Sequence, residues 1–148
     1  MNLRDIEEGI RFYTQRRNKP PRSDRENFTL ICLIHLRNID LALSLTNESL
    51  SYSTHSINME YLNSPQGIRG SLVNMDHYLD ECVYILKNSF MDKDFPPIDL
   101  TTKIFQAQFH LKSITAIKEK LHVEFQLHLQ NLTTQLNILA NFVREESE

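Results

Sequence analysis

A Glu-x-x-His motif is the first place where residue types and spacing are suited to chemistry. Glu119 and His122 form this motif, and residues three apart lie on one face of a helix. Ferritin-like helices bind two iron ions with it, but they need a second copy and further inward carboxylates. The nearest comparable cluster consists of Asp76, His77, Asp80 and Glu81. His77 and Glu81 share a face that is offset from the apolar stripe of their segment. We therefore expect them to point outward and predict no metal site.

The sequence contains no arrangement typical of a nucleophilic or phosphate-binding enzyme. Cys32 and Cys82 lie in apolar helical segments without the basic neighbour that makes a reactive thiolate, so we expect buried free thiols. No P-loop, nucleophile elbow, dinucleotide fingerprint or zinc spacing occurs, and three glycines leave little material for a phosphate-binding loop. We predict a protein that is not an enzyme and uses no cofactor, metal or small-molecule substrate.

A basic tract near the N-terminus is the most site-like feature of a chain whose net charge is −3. Residues 1–25 contain seven Lys/Arg and four Asp/Glu, whereas the remainder is acidic. Such arginines can hold phosphates, while Phe12 and Tyr13 can stack on bases. In the alternative, which we favour, the arginines stabilise a helix end and pair with acidic residues. The tract comprises Arg11, Arg16, Arg17, Lys19, Arg22 and Arg25.

The elements that position these residues are predicted to be helices, and the last third of the chain is predicted to form the longest. No glycine or proline follows Pro97, and apolar residues recur at steps of three, four or their sum from Ile104 to Phe142. We predict one helix over about 99–145, which at about 1.5 Å per residue is roughly 65 Å long. Asp99 or Thr101 can cap its start.

Three shorter helices are predicted before it, at about 2–18, 24–48 and 65–90. Asn2 can cap the first helix, and Ser23 with Glu26 fits a capping box for the second. Ser64 and Pro65 suit the cap and the first residue of the third. The Ser- and Thr-rich composition after Leu45 predicts that the second helix ends, kinks or weakens between Asn47 and Ser56.

The segment from Phe28 to Leu45 is apolar on nearly every side and has three possible interpretations. A membrane span is disfavoured because His35, Arg37 and Asp40 interrupt it. A strand is disfavoured because leucine dominates and no second strand candidate is available for pairing. We favour the central, most buried helix of a bundle.

Together these elements predict an all-α fold with a single domain over residues 1–148. The expected architecture is an elongated four-helix bundle with a short N-terminal helix and an over-long C-terminal helix of coiled-coil character. The third helix covers about 25 residues and the fourth about 45, so an overhang of roughly 30 Å is expected to remain. His128 and Gln135 interrupt one heptad register of this helix, and we favour a seam that drifts onto Leu129 and Leu136 instead.

An exposed apolar overhang predicts a non-enzymatic interaction protein, which is an adaptor, chaperone or structural subunit that binds a partner or itself. The predicted interface comprises Leu129, Leu132, Leu136, Leu139, Phe142 and Val143. One alternative is a nucleic-acid-binding protein that uses the basic tract. Another is a secreted four-helix signalling protein with a Cys32–Cys82 disulfide. The charged N-terminus lacks the apolar region of a signal peptide, so we expect a cytoplasmic or nuclear protein.

Overall fold

The computed structural model describes residues 1–15, 20–56, 63–89, 94–117 and 121–147, and the ordered secondary structure in these ranges is helical. The prediction of an all-α fold is therefore confirmed for the described part of the chain. Its five helices are α1 (Leu3–Thr14), α2 (Asp24–Ser56), α3 (Asn63–Asn88), α4 (Ile98–Thr115) and α5 (Val123–Ser147).

The helices pack side by side as in a bundle, with the most extensive contacts between α3 and α4 and between α2 and α5. Further contacts join α4 to α5 and α2 to α3, while α1 lies on α2 and touches α3. Helices α3 and α4 run antiparallel: Lys103 on α4 reaches Glu81 on α3 at 2.9 Å, and one turn before Glu81 the Tyr78 ring stacks on His110. Buried side chains from all five helices form one hydrophobic cluster.

The predicted C-terminal helix of about 99–145 is wrong, because the chain folds back between α4 and α5. An unbroken helix would leave the apolar face of its second half in water. Folding back places Phe125, Leu129 and Leu132 in the core, each at most 1 % exposed. Burying one such side chain contributes roughly 1.5–3 kcal/mol, more than the net ~1 kcal/mol of each helical hydrogen bond given up at the break. Burial therefore outweighs helix continuity.

The second helix is longer than predicted and does not end after Asn47. The hydroxyl of Thr46 donates to the Ala42 carbonyl oxygen at 2.7 Å. This bond forms within the helical conformation, so the Thr46 side chain does not draw the backbone out of the helix. Leu50 is buried, which anchors this turn to the core. Tertiary packing thus overrides the weak helix propensity of the segment.

The apolar segment at Phe28–Leu45 is helical, as predicted, and lies within α2. By length and composition, Asp24–Ser51 is the stretch of the described chain that is long and apolar enough to cross a membrane. Half of that apolar window is buried inside the protein, where Leu36 and Ile39 are fully enclosed. The core position of the helix accounts for the buried half of that window.

Two of the predicted helix caps are confirmed and one is wrong. The Asn2 side chain accepts from the Asp5 backbone N–H, and Ser23 and Glu26 exchange the two hydrogen bonds of a capping box. At the start of α4, Pro97 occupies the cap position and makes no side-chain cap. Asp99 instead lies in the first turn, where its charge complements the helix dipole.

Candidate interaction surface

The residues predicted to form a partner interface lie largely in the core of the protein itself. Five of them are at most 1 % exposed, namely Leu129, Leu132, Leu136, Leu139 and Val143. The sixth, Phe142, is partly buried, and its ring stacks on Phe28 of α2 with centroids 5.4 Å apart. The premise that this seam is exposed is wrong, since the seam is covered by α2 and α4. The favoured drift of the seam is confirmed, because Leu129 and Leu136 are buried while His128 is only partly so.

A different apolar stripe runs along the outside of α4. Ile98, Phe105 and Phe109 are 71 %, 65 % and 61 % exposed, and the two phenylalanines are one turn apart. With three further exposed residues they form a line at steps of 4, 3, 4, 3 and 4, the spacing of a helix–helix seam. We call this line the outer seam; it consists of Ile98, Thr102, Phe105, Phe109, Lys112 and Ala116.

A groove of about 300 Å³ lies between α4 and α5 beside the outer seam. Half of its lining residues are apolar, namely Ile104, Phe105, Ala140 and Val143, and half are polar, namely Thr101, Gln108, Asn141 and Arg144. The groove therefore suits a side chain that presents both apolar and polar surface.

The charges of α4 are divided between its two sides. On the side that faces α3, Lys103 pairs with Glu81 at 2.9 Å, and His77 contacts the other Glu81 oxygen at 3.1 Å. The hydrogen bond from Lys103 holds the pKa of Glu81 below its ordinary value, and the same bond raises the pKa of Lys103. Among the described residues neither Asp99 nor Lys112 forms a direct ion pair, although the negative charge of Asp99, after the hydrogen bond to Glu81, also raises the pKa of Lys103. Both side chains are exposed.

Two members of the basic tract have structural roles. Arg22 donates to the Tyr13 carbonyl oxygen at the end of α1 and to Asn27 Oδ1, at 3.2 and 2.8 Å. The Arg25 guanidinium lies 4.7 Å from the centre of the Phe95 ring. Arg11 is exposed, whereas Arg16, Arg17 and Lys19 lie outside the described residues. The contacts of Arg22 and Arg25 therefore support the interpretation that arginines of the tract stabilise the fold rather than bind phosphates.

The remaining candidates for chemistry do not assemble into a site in the described part of the chain. Both cysteines are buried free thiols, and burial raises the pKa of Cys82 to about 12 and that of Cys32 well above its ordinary value. No group of three or more His, Cys, Asp or Glu side chains among the described residues is placed to hold a metal ion. His77 is largely exposed, while Glu119 lies outside the described residues.

Asp76 and Asp80 hold the N-terminal segment rather than an ion. The Met1 amino group contacts Asp76, and the Asn2 backbone N–H donates to Asp80 Oδ1 at 2.8 Å. Nearby on α2, burial raises the pKa of Asp40, and the negative charges of Asp76 and Asp80 act in the same direction. Asp76 and Asp80 therefore tie the residues just before α1 to α3.

Comparison with known protein families, with curated proteins and with solved structures finds no match to this chain. Sequence reasoning missed the outer seam because it assigned α4 only one apolar stripe. The signal was present: Ile98, Phe105 and Phe109 follow their own helical spacing, nearly half a turn away from the stripe that contains Ile104 and Leu111.

Proposed function

We propose that the protein is a non-enzymatic interaction module, an adaptor or structural subunit that binds a protein partner through its C-terminal helical hairpin, α4–α5. The observation that carries this proposal is the outer seam, where Phe105 and Phe109 stand exposed one turn apart. Single exposed apolar residues are ordinary on protein surfaces, but three large ones on the same face of one helix, two of them adjacent phenylalanines, are typical of a binding face.

The energetics favour a helix or helical hairpin as the partner's contacting element. Fully burying a phenylalanine or isoleucine contributes roughly 1.5–3 kcal/mol, so Ile98, Phe105 and Phe109 supply a central cluster of the kind that dominates binding. Their spacing matches the side-chain ridges of another helix. The groove beside Phe105 offers space for one side chain of that helix.

In this proposal α2–α5 form a four-helix scaffold in the cytoplasm or nucleus, and α1 braces one side of it. The buried seam of α5 then has an indirect role: Leu132 and Leu136 hold the hairpin together so that α4 presents its outer face. The contacts of Arg22 and Arg25 within the chain favour this function over binding of nucleic acid. The free thiols favour it over the disulfide-bridged signalling protein.

Site-specific photocrosslinking tests the proposal. A benzophenone amino acid replaces Phe105 or Phe109 in the full chain, and the matched control carries it at Tyr84, an exposed aromatic residue on α3. We expect crosslinked protein adducts at both α4 positions and none at the control. Equal adduct formation at Tyr84, or none at either α4 position, would contradict a binding face on α4.

A further inference from the structure

We propose that the outer seam of α4 binds a second copy of the same chain, with the two α4 helices antiparallel about a two-fold axis. This inference rests on the proposed function, since it names the partner of the same surface. The axis passes between Phe105 and Phe109, so the four rings of the two copies meet at the centre.

The spacing of the outer seam is the same in both directions along the helix. Steps of 4, 3, 4, 3 and 4 form a palindrome, and a two-fold interface requires a surface that complements itself. In the antiparallel pair Ile98 lies opposite Ala116, Thr102 opposite Lys112, and Phe105 opposite Phe109, each contact occurring twice. Ala116 extends the seam because its backbone is still in the right-handed helical region.

The charges of α4 favour the antiparallel direction. Asp99 is in the first turn and Lys112 in the last turn, and both are exposed. In the antiparallel pair Lys112 of each copy lies opposite Thr102 of the other copy. Lys112 can then reach the other copy's Asp99, which is one turn before Thr102. A parallel pair would instead place Asp99 beside Asp99 and Lys112 beside Lys112, and like charges destabilise an interface. The helix dipoles also favour the antiparallel pair, because each positive helix end then lies beside a negative one.

The groove between α4 and α5 fits the same arrangement. Phe109 of the second copy lies at the level of Phe105, where the groove of about 300 Å³ opens. Ile104, Ala140 and Val143 contribute apolar surface to that groove, beside the polar Thr101, Gln108 and Asn141. A phenyl ring that enters it would pack against the apolar part of this lining.

The size of the contact sets its expected strength. The 18 residues of α4 make a helix about 27 Å long, and one helix face on each copy falls near the lower limit of specific interfaces. We therefore expect a reversible dimer with a micromolar dissociation constant.

Sedimentation equilibrium of the full chain over about 1 to 500 µM, a range that brackets such a constant, tests dimer formation. We expect a shift from 17.4 kDa to twice that mass with rising concentration. Phe105→Glu with Phe109→Glu should raise the dissociation constant at least about 100-fold, because both rings are central to the contact. Val73→Glu, at an exposed site on α3, is the control and should leave the dimer unchanged.

A charge exchange gives a second test that does not depend on the apolar residues. Asp99→Lys and Lys112→Asp should each weaken self-association, because each places like charges together twice. An equimolar mixture of the two variants should form a heterodimer, since both pairs of opposite charges are then restored. Circular dichroism confirms that each variant remains helical.

The outcomes separate this inference from the proposed function. A chain that stays at 17.4 kDa up to the highest concentration overturns the second copy as partner. The proposed function then still stands if Phe105 crosslinks to a different protein. A dimer that survives the double glutamate variant, or a charge-variant mixture that stays monomeric, overturns the antiparallel α4 contact.

Discussion

The ring of Phe142 on α5 stacks on the ring of Phe28 on α2, with 5.4 Å between their centroids and 20° between their planes. A third ring, Phe95, meets Phe28 edge-on at 5.1 Å. Residues from the second helix, from the connection before α4 and from the last helix therefore meet in one aromatic cluster. The cluster fixes the end of α5 against the body of the protein, at the place where the sequence alone predicts a free overhang.

The buried seam of α5 should therefore control stability rather than association. Leu136→Ala removes a fully buried side chain and should lower the free energy of unfolding by about 2–5 kcal/mol. Ile138 lies two residues further along the same helix, on its exposed side. Ile138→Ala should therefore change the free energy of unfolding by less than about 0.5 kcal/mol. Urea denaturation followed by circular dichroism measures both. Equal effects at the two positions would contradict the assignment of α5 to the core.

The sequence predicts the helical class and two capping motifs because these depend on local spacing. The fold-back of the C-terminal third is not local. Nothing between Thr115 and Val123 resembles a glycine or proline break, and the turn exists because α2 and α4 offer apolar surface to Leu132 and Leu136. The candidate surface was mispredicted for the same reason: a stripe on a helix does not show whether the chain's own helices cover it.

The two glycines Gly9 and Gly70 should respond to alanine in opposite ways. A Cβ at Gly9 would lie 2.8 Å from Leu33 Cδ1, and Leu33 is buried, so α1 or the leucine must move. Overpacking of this kind costs about 1–3 kcal/mol, which exceeds the gain in helix propensity of about 1 kcal/mol. At Gly70 nothing lies within 4 Å, so Gly70→Ala should stabilise by about 0.5–1 kcal/mol. Thermal unfolding of the two variants checks both signs.

His35 should make the fold less stable in mild acid. Burial lowers the pKa of this imidazole from 6.5, and its ring packs 5.9 Å from that of Phe142. A group whose pKa is lower in the folded state favours folding when neutral. Its contribution is therefore complete above pH 6.5 and decreases as the pH falls from there toward the lower folded pKa.

The comparison that isolates this effect is the chain with His35→Gln. Chemical denaturation at pH 7.5 and pH 5.5 should show a smaller loss of stability in the variant than in the parent chain. An identical loss in both would assign the acid sensitivity to groups other than His35.

Arg22 should contribute to stability through the end of α1. Arg22→Ala removes hydrogen bonds to Tyr13 and Asn27 and should cost about 1 kcal/mol, since these bonds are partly exposed. The nucleic-acid alternative predicts instead that the protein binds an oligonucleotide with an affinity that falls steeply with salt. Fluorescence anisotropy of a labelled oligonucleotide with the parent chain, at two salt concentrations, distinguishes this alternative from a purely structural role of Arg22. Salt-sensitive binding that Arg22→Ala weakens would favour the alternative.

The thiols of Cys32 and Cys82 should be inert in the folded protein. Both side chains are fully buried, and burial raises the pKa of Cys82 to about 12, so the reactive thiolate is scarce at neutral pH. Ellman's reagent should label neither thiol in native buffer within minutes and both in denaturant. Rapid labelling of native protein would show that α2 and α3 separate readily. Failure to label denatured, unreduced protein would instead indicate a Cys32–Cys82 bridge and would revive the signalling-protein alternative.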